Sequence, residues 1–203
     1  MSLLTEKFKK YQWGLGLILI VGVLVAGAWY LMVTNVFVPE GFERSRQNSV
    51  FIAKNIVDLT EESLNNLNAI AEADKEYKFK IALILVREEL DRITDAKVKA
   101  SELTQELTEM SLAAAAIKPT RAKDLAVDAI THELNLIAEL LIYNDSLHAL
   151  LQTLEYKFSG DIRYDSDDVQ KLVTNINQRT REVNKLNELF KEKMAEFDKI
   201  VEK

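Results

Sequence analysis

The sequence predicts an all-α protein: one N-terminal transmembrane helix, then an elongated antiparallel helical bundle or coiled coil of three or four long helices. Three observations carry this expectation. Residues 14–38 contain no charged side chain. The chain has only two prolines, and most of its six glycines fall in or beside that stretch. Downstream, apolar residues recur at the three-and-four spacing of amphipathic helices.

The uncharged stretch comes first. A helix rises about 1.5 Å per residue, so residues 14–38 would cover roughly 37 Å, enough for a hydrocarbon core of about 30 Å with some tilt. Trp13 at one edge and Trp29 and Tyr30 toward the other are placed as membrane-interface anchors, because amphipathic rings favour that boundary. Lys7, Lys9 and Lys10 precede the stretch, and Arg44 and Arg46 follow it. That small excess of positive charge predicts a cytoplasmic N-terminus and an extracytoplasmic C-terminal domain in a single-pass membrane protein. Cleavage as a signal peptide after Ala26-Gly27-Ala28 is the competing reading, opposed by the apolar run that continues to Val38. Gly22 and Ala26, four residues apart, would let two such spans approach closely.

Charge and composition narrow the partners. Residues 1–13 carry +2 and residues 14–38 none, which leaves −8 on residues 39–203 from a total of −6. A surface of that sign excludes nucleic acid, whose phosphates need clustered lysine and arginine. The expected partners are the lipid bilayer and a protein partner or second copy of the chain. The absence of cysteine excludes disulfides and thiol nucleophiles.

The helical domain, residues 39–203, divides into helices over about 44–72, 75–117, 120–158 and 166–203, the first two possibly one continuous helix. Ala53, Ile56, Leu64, Leu67 and Ala71 mark the first apolar stripe. Ile93, Ala96, Ala100, Leu103, Leu107, Met110 and Ala114 keep a strict 3-4 alternation, as in coiled coils. A chain reversal near Asp74, with Asp74 capping the next helix, would bring these stripes together. Pro119 stops the second helix and Thr120 is placed to cap the third. The third stripe is read as Leu134, Ile137, Leu141, Leu147, Leu151, Leu154 and Phe158, ending at Gly160. Asp165 or Ser166 caps the last helix, whose stripe is Val169, Leu172, Ile176, Val183, Leu186, Phe190, Phe197 and Ile200.

Candidate chemistry is sparse. Asp145 and His148 have the i, i+3 spacing of a carboxylate–histidine pair, but His132 lies too far along the same helix to complete a metal site, so no metal or cofactor is expected. The acidic linker Asp161 to Asp168 lacks the glycine and terminal glutamate of a calcium loop. Asn144 falls in register with the core, and Thr180 interrupts the last stripe. Asn144, His148 and Thr180 are therefore the candidate polar residues, setting helix register or lining a pocket. No nucleophile–base arrangement or phosphate-binding glycine loop stands out, and no enzyme is expected.

The layout is similar to that of LemA-type proteins and of bacterial chemoreceptor sensor domains. The chain lacks the motif-rich first helix of the former and the signalling module of the latter, so it is assigned to neither. The expected function is a membrane-anchored helical bundle acting through protein–protein interaction as scaffold, spacer or accessory subunit. The alternative is an extracytoplasmic bundle that senses a small ligand and needs a partner for output.

Overall fold

Long stretches of leucine, alanine, glutamate and lysine, free of internal proline, have few ways to stop a helix once it starts. The computed structural model describes residues 36–202. They form four helices: α1 (Glu40–Lys75), α2 (Phe79–Ala114), α3 (Thr120–Ser159) and α4 (Ser166–Val201). Each runs about 54–60 Å.

The boundaries follow local chemistry. Pro39 opens α1, its carbonyl accepting from the N–H groups of Phe42 (3.0 Å) and Glu43 (3.3 Å), and Glu40 and Glu43 oppose the dipole of the first turn. Between α1 and α2 the chain reverses through Tyr77, whose φ of 57° is left-handed. The region 44–117 is thus two helices rather than one. A tyrosine in that conformation carries strain of about 1–2 kcal/mol, and its ring is held edge-on to Phe79 at 6.1 Å. Asp74 does not cap α2. Its carboxylate takes Lys157 Nζ from α3 at 2.5 Å, and Lys78 at the start of α2 makes no side-chain cap. Pro119, not Thr120, occupies the position before α3. Gly160 ends α3 at φ 73°, where a glycine avoids the Cβ penalty.

Asp165 caps α4, its carboxylate accepting from the Asp167 N–H at 2.8 Å. Removing that acceptor costs about 1 kcal/mol. Asp165→Ala is therefore expected to lower the melting midpoint by about 2–4 °C, and Asp165→Ser to leave it nearly unchanged. Circular dichroism melts check this; an alanine variant that melts with the parent would show that the cap contributes nothing.

The expected membrane layout is corrected. No helix among the described residues is long and apolar enough to cross a membrane. All four are long, but charged side chains recur along each of them. Of the span expected over 14–38, residues 14–35, with Trp29 and Tyr30, lie outside the described residues, as does Trp13. Residues 36–38 are described and are not helical. Phe37 forms an isolated antiparallel bridge with Lys118, Phe37 N–H to Lys118 O at 3.0 Å and the reverse at 2.9 Å. That long-range pairing replaces the predicted end of the span. The fold is an all-α four-helix bundle. With the span fall the bilayer as partner, the single-pass topology and the two-sided placement of the termini.

The helices pack in sequence, antiparallel, α1 on α2, α2 on α3 and α3 on α4. The buried residues form two apolar clusters along the axis. The lower one joins Phe42, Leu103, Leu107, Met110, Ile130, Ile137 and Phe197 near the ends of α1 and α4. The upper joins Ile70, Val86, Ile93, Leu147, Leu151 and Phe158 near the two tip loops. The α2 stripe from Ile93 to Ala114 is buried within the chain's own core, with only Ala96 half-buried.

Two stripes pack in a different register from the expected one. The inner face of α1 is Phe42, Ser45, Ser49, Ile56, Ser63, Asn66, Ile70 and Ala73; of the expected stripe only Ile56 is buried, and Leu64 and Ala71 are exposed. On α3 the buried set includes Ile130, Glu133, Ile137, Leu140, Asn144, Leu147 and Leu151, whereas Leu134 is half-buried and Leu141 exposed. In both helices polar side chains occupy inward positions that an apolar count passes over.

Candidate functional site

A closed four-helix bundle has four lateral seams; this one has three. No Cα of α1 comes within 8 Å of a Cα of α4, so their axes stand farther apart than the 8–10 Å of packed helices. Side-chain contacts join the two helices at the lower end. There the Phe42 and Phe197 rings lie 5.4 Å apart, and Arg46 donates to Asp198 at 2.8 Å. Consistent with this, α4 buries only Met194 and Phe197, both in its last two turns and a half.

Above that clasp the seam is a groove. Its main cavity is about 330 Å³, walled by Ala53, Ile56, Val57, Thr60 and Leu64 of α1 and by Thr180, Val183, Asn184 and Asn187 of α4. Leu103 of α2 and Glu133, Leu136, Ile137, Leu140 and Tyr143 of α3 form its floor. A second cavity of about 140 Å³ continues it downward past Ala53 and Glu133 to Met110, Phe190 and Met194. From Ser49 to Leu64 the groove follows α1 for roughly 22 Å.

Both walls carry helical seam patterns. On α1, Val50, Ala53, Val57, Thr60 and Leu64 step by three and four residues, offset from the face that packs on α2. Val50, Val57 and Leu64 are 65 %, 55 % and 53 % exposed. On α4, Thr180, Val183, Asn187, Phe190 and Met194 keep the same alternation. Such spacing is what a facing helix reads.

Glu133 lies on the floor where the two cavities join. It is 7 % exposed, and its Oε2 has no hydrogen-bond partner among the described residues. Burial alone pushes its carboxyl up to about 7, since the charged form loses its water and gains no counter-ion. The hydroxyls of Ser45 and Ser49, on the inner face of α1, are likewise buried without a partner.

A second polar group lies within the upper cluster, between Val86 and Ile93 of α2, and it is well satisfied. Glu89, fully buried, accepts from Ser63 Oγ and from Arg92 and from Asn66 Nδ2 at 2.9 Å. Asn66 also donates to Leu85 O at 3.0 Å, and Arg92 reaches Glu62 at 3.4 Å. Tyr143 closes this layer; burial and the Glu89 charge both raise its phenol. Beside it is a cavity of about 20 Å³, lined in part by Thr60, Tyr143 and Asn144. Thr60 and Tyr143 also line the groove, so the polar layer forms its upper end.

The sequence candidates are not brought together as one site. Asn144 faces the core, 4 % exposed, with its Nδ2 unpaired. His148, one turn further on, is half-buried, and its expected companion Asp145 binds Lys97 at 2.6 Å. Thr180 is exposed on the groove wall and donates to Ile176 O at 2.9 Å. Among the described residues no three histidine, aspartate or glutamate side chains are grouped to hold a metal ion. Glu89 and Glu133 are the residues the sequence reading missed, and a signal for both was present. The α2 alternation stepped back from Ile93 reaches Glu89, Val86 and Ala82, and the α3 alternation stepped back from Ile137 reaches Glu133.

The fold and site define an up-down-up-down four-helix bundle with one unclosed seam over a buried carboxyl. No protein-family model matches the chain, and no curated protein and no solved structure matches it either.

Proposed function

We propose that this protein is a non-enzymatic helix-docking module, whose α1/α4 seam receives a helix of a partner protein. The observation that carries the reading is the separation of α1 from α4 along a groove whose two walls both show the 3-4 alternation of a helix-packing face. Three valine and leucine side chains at seven-residue spacing on the α1 wall would otherwise remain in water. Burying a side chain of that size contributes about 1.5–3 kcal/mol. A helix laid in the groove would bury the stripes of both walls together, as amphipathic helices do in grooves of this kind.

The test uses the full chain and a fluorescent designed helix of about three heptads with leucine at its inward positions. Binding is expected, and Val57→Arg on the groove wall is expected to weaken it at least about tenfold, since it sets a charge in the apolar contact. Ile84→Arg, on an exposed apolar side chain of α2 away from the groove, serves as the control and should leave binding unchanged. Equal losses from both variants, or no binding at all, would remove the seam as the docking surface.

A further inference from the structure

Resting on that helix-docking reading, we propose that the docked helix carries a basic side chain on its inward face, and that Glu133 is the group that receives it. The seam alone calls only for apolar contact. Glu133 adds a requirement, because an acceptor oxygen lies buried at the groove floor and no group among the described residues donates to it.

No cation of the described residues answers that acceptor. From α1, Arg46 borders the lower cavity, but its guanidinium is engaged by Asp198 at 2.8 Å and Glu43 at 3.7 Å. The other charged side chain α1 brings to the groove is Glu61, which is also acidic. The contributions of α2 to the floor, Leu103, Leu107 and Met110, are apolar. Those of α4 near it, Thr180, Asn184 and Asn187, are uncharged. The neighbours of Glu133 on α3 along this floor, Leu136, Ile137 and Leu140, are apolar as well. A charge held among such groups is strongly destabilised until an opposite charge arrives, and the attraction between the two is stronger there than in water.

The chemistry of the walls selects the form of that charge. A metal ion needs several oxygen ligands, and one carboxylate does not supply them. A lysine stem is four methylenes long, so it can lie along apolar walls while its ammonium reaches the floor. The 3-4 pattern on both sides of Glu133 supplies the helix that would carry such a side chain, with the basic residue at one inward position. A buried ion pair of this kind also fixes register, because sliding the partner by one turn would strand both charges.

The experiment compares two designed helices that differ at one central inward position, lysine in one and methionine in the other. Both are titrated into the full chain by fluorescence anisotropy at about pH 8, above the point at which Glu133 ionises. The lysine helix is expected to bind at least about tenfold more tightly than the methionine helix. On Glu133→Gln that preference should fall to within about twofold, while the methionine helix binds as well as before or better. Equal binding of the two helices to the unmodified chain overturns the role of Glu133 and leaves the seam reading standing. Binding of neither overturns both. Light scattering of the chain alone adds a last arm: a dimer that dissociates on Val57→Arg would place a second copy in the seam and overturn the basic-helix partner.

Discussion

Glu133→Gln is expected to raise the melting midpoint at pH 8 by about 4–8 °C, and to raise it little or not at all at pH 5. The carboxyl stands at about 7 in the folded chain against an ordinary value of 4.5. Between those values the folded protein holds a proton that the unfolded chain has released. Stability therefore falls as pH rises from near the lower value through the higher one, and is level beyond it. The gap corresponds to roughly 3 kcal/mol, of which a buried glutamine amide without partners gives back about 1. The net gain of about 2 kcal/mol appears where the parent is ionised and vanishes where it is protonated, at about 2–4 °C per kcal/mol for a domain of this size. Melts of parent and variant across that pH range measure it directly. An equal shift at pH 5 and pH 8 would mean that ionisation of this side chain has no part in the effect. The same variant is expected to lose the preference for a basic helix, so stability and recognition move in opposite directions, as they do at sites held in an unfavourable state for use.

The second large effect has the opposite sign. Glu89→Ala is expected to destabilise the bundle by about 3–5 kcal/mol, because it leaves Ser63, Asn66 and Arg92 facing a cavity in place of their shared acceptor. Urea unfolding at 25 °C measures the loss. Replacing Glu89 and Arg92 together by leucine is expected to recover most of it, since a buried pair exchanged for apolar side chains of similar volume is often close to neutral. A loss below about 1 kcal/mol for Glu89→Ala would show that the layer is not a connected hydrogen-bonded group. The two glutamates occupy equivalent inward positions and differ in what faces them. Glu89 meets three donors from α1 and α2, and Glu133 meets none among the described residues.

That contrast also defines how far the sequence could be read. The breaks at Pro39, Pro119, Gly160 and Asp165 are legible, because these residues act on their nearest neighbours; the reversal at Tyr77 is not, and the sequence leaves residues 44–117 open between one helix and two. The α2 stripe is legible too, since its inward positions from Ile93 to Ala114 are nearly all apolar. On α1 the inward positions include Ser45, Ser49, Ser63 and Asn66, so a search for apolar periodicity follows the wrong face. The place of Ser63 and Asn66 in the core depends on Glu89, which stands on another helix. The open seam is less legible still, because periodicity along α1 and α4 says that each has faces to bury and not whether they bury them on each other. The expected helix reaching Val38 failed for a similar reason. Hydropathy in a local window does not register that Phe37 pairs with Lys118, 81 positions away.

The clasp formed by Phe42, Phe197, Arg46 and Asp198 has a mechanical consequence. It pins the lower end of α4, while the short connection from Gly160 to Asp165 pins the upper end to α3. Between those ends α4 is also tied to α3, Asn175 to Ser146 at 3.2 Å and Arg179 to Glu139 at 2.9 Å. The two helices therefore form one stiff wall, and widening the groove displaces that wall against α1 and loads the clasp rather than bending α4 by itself.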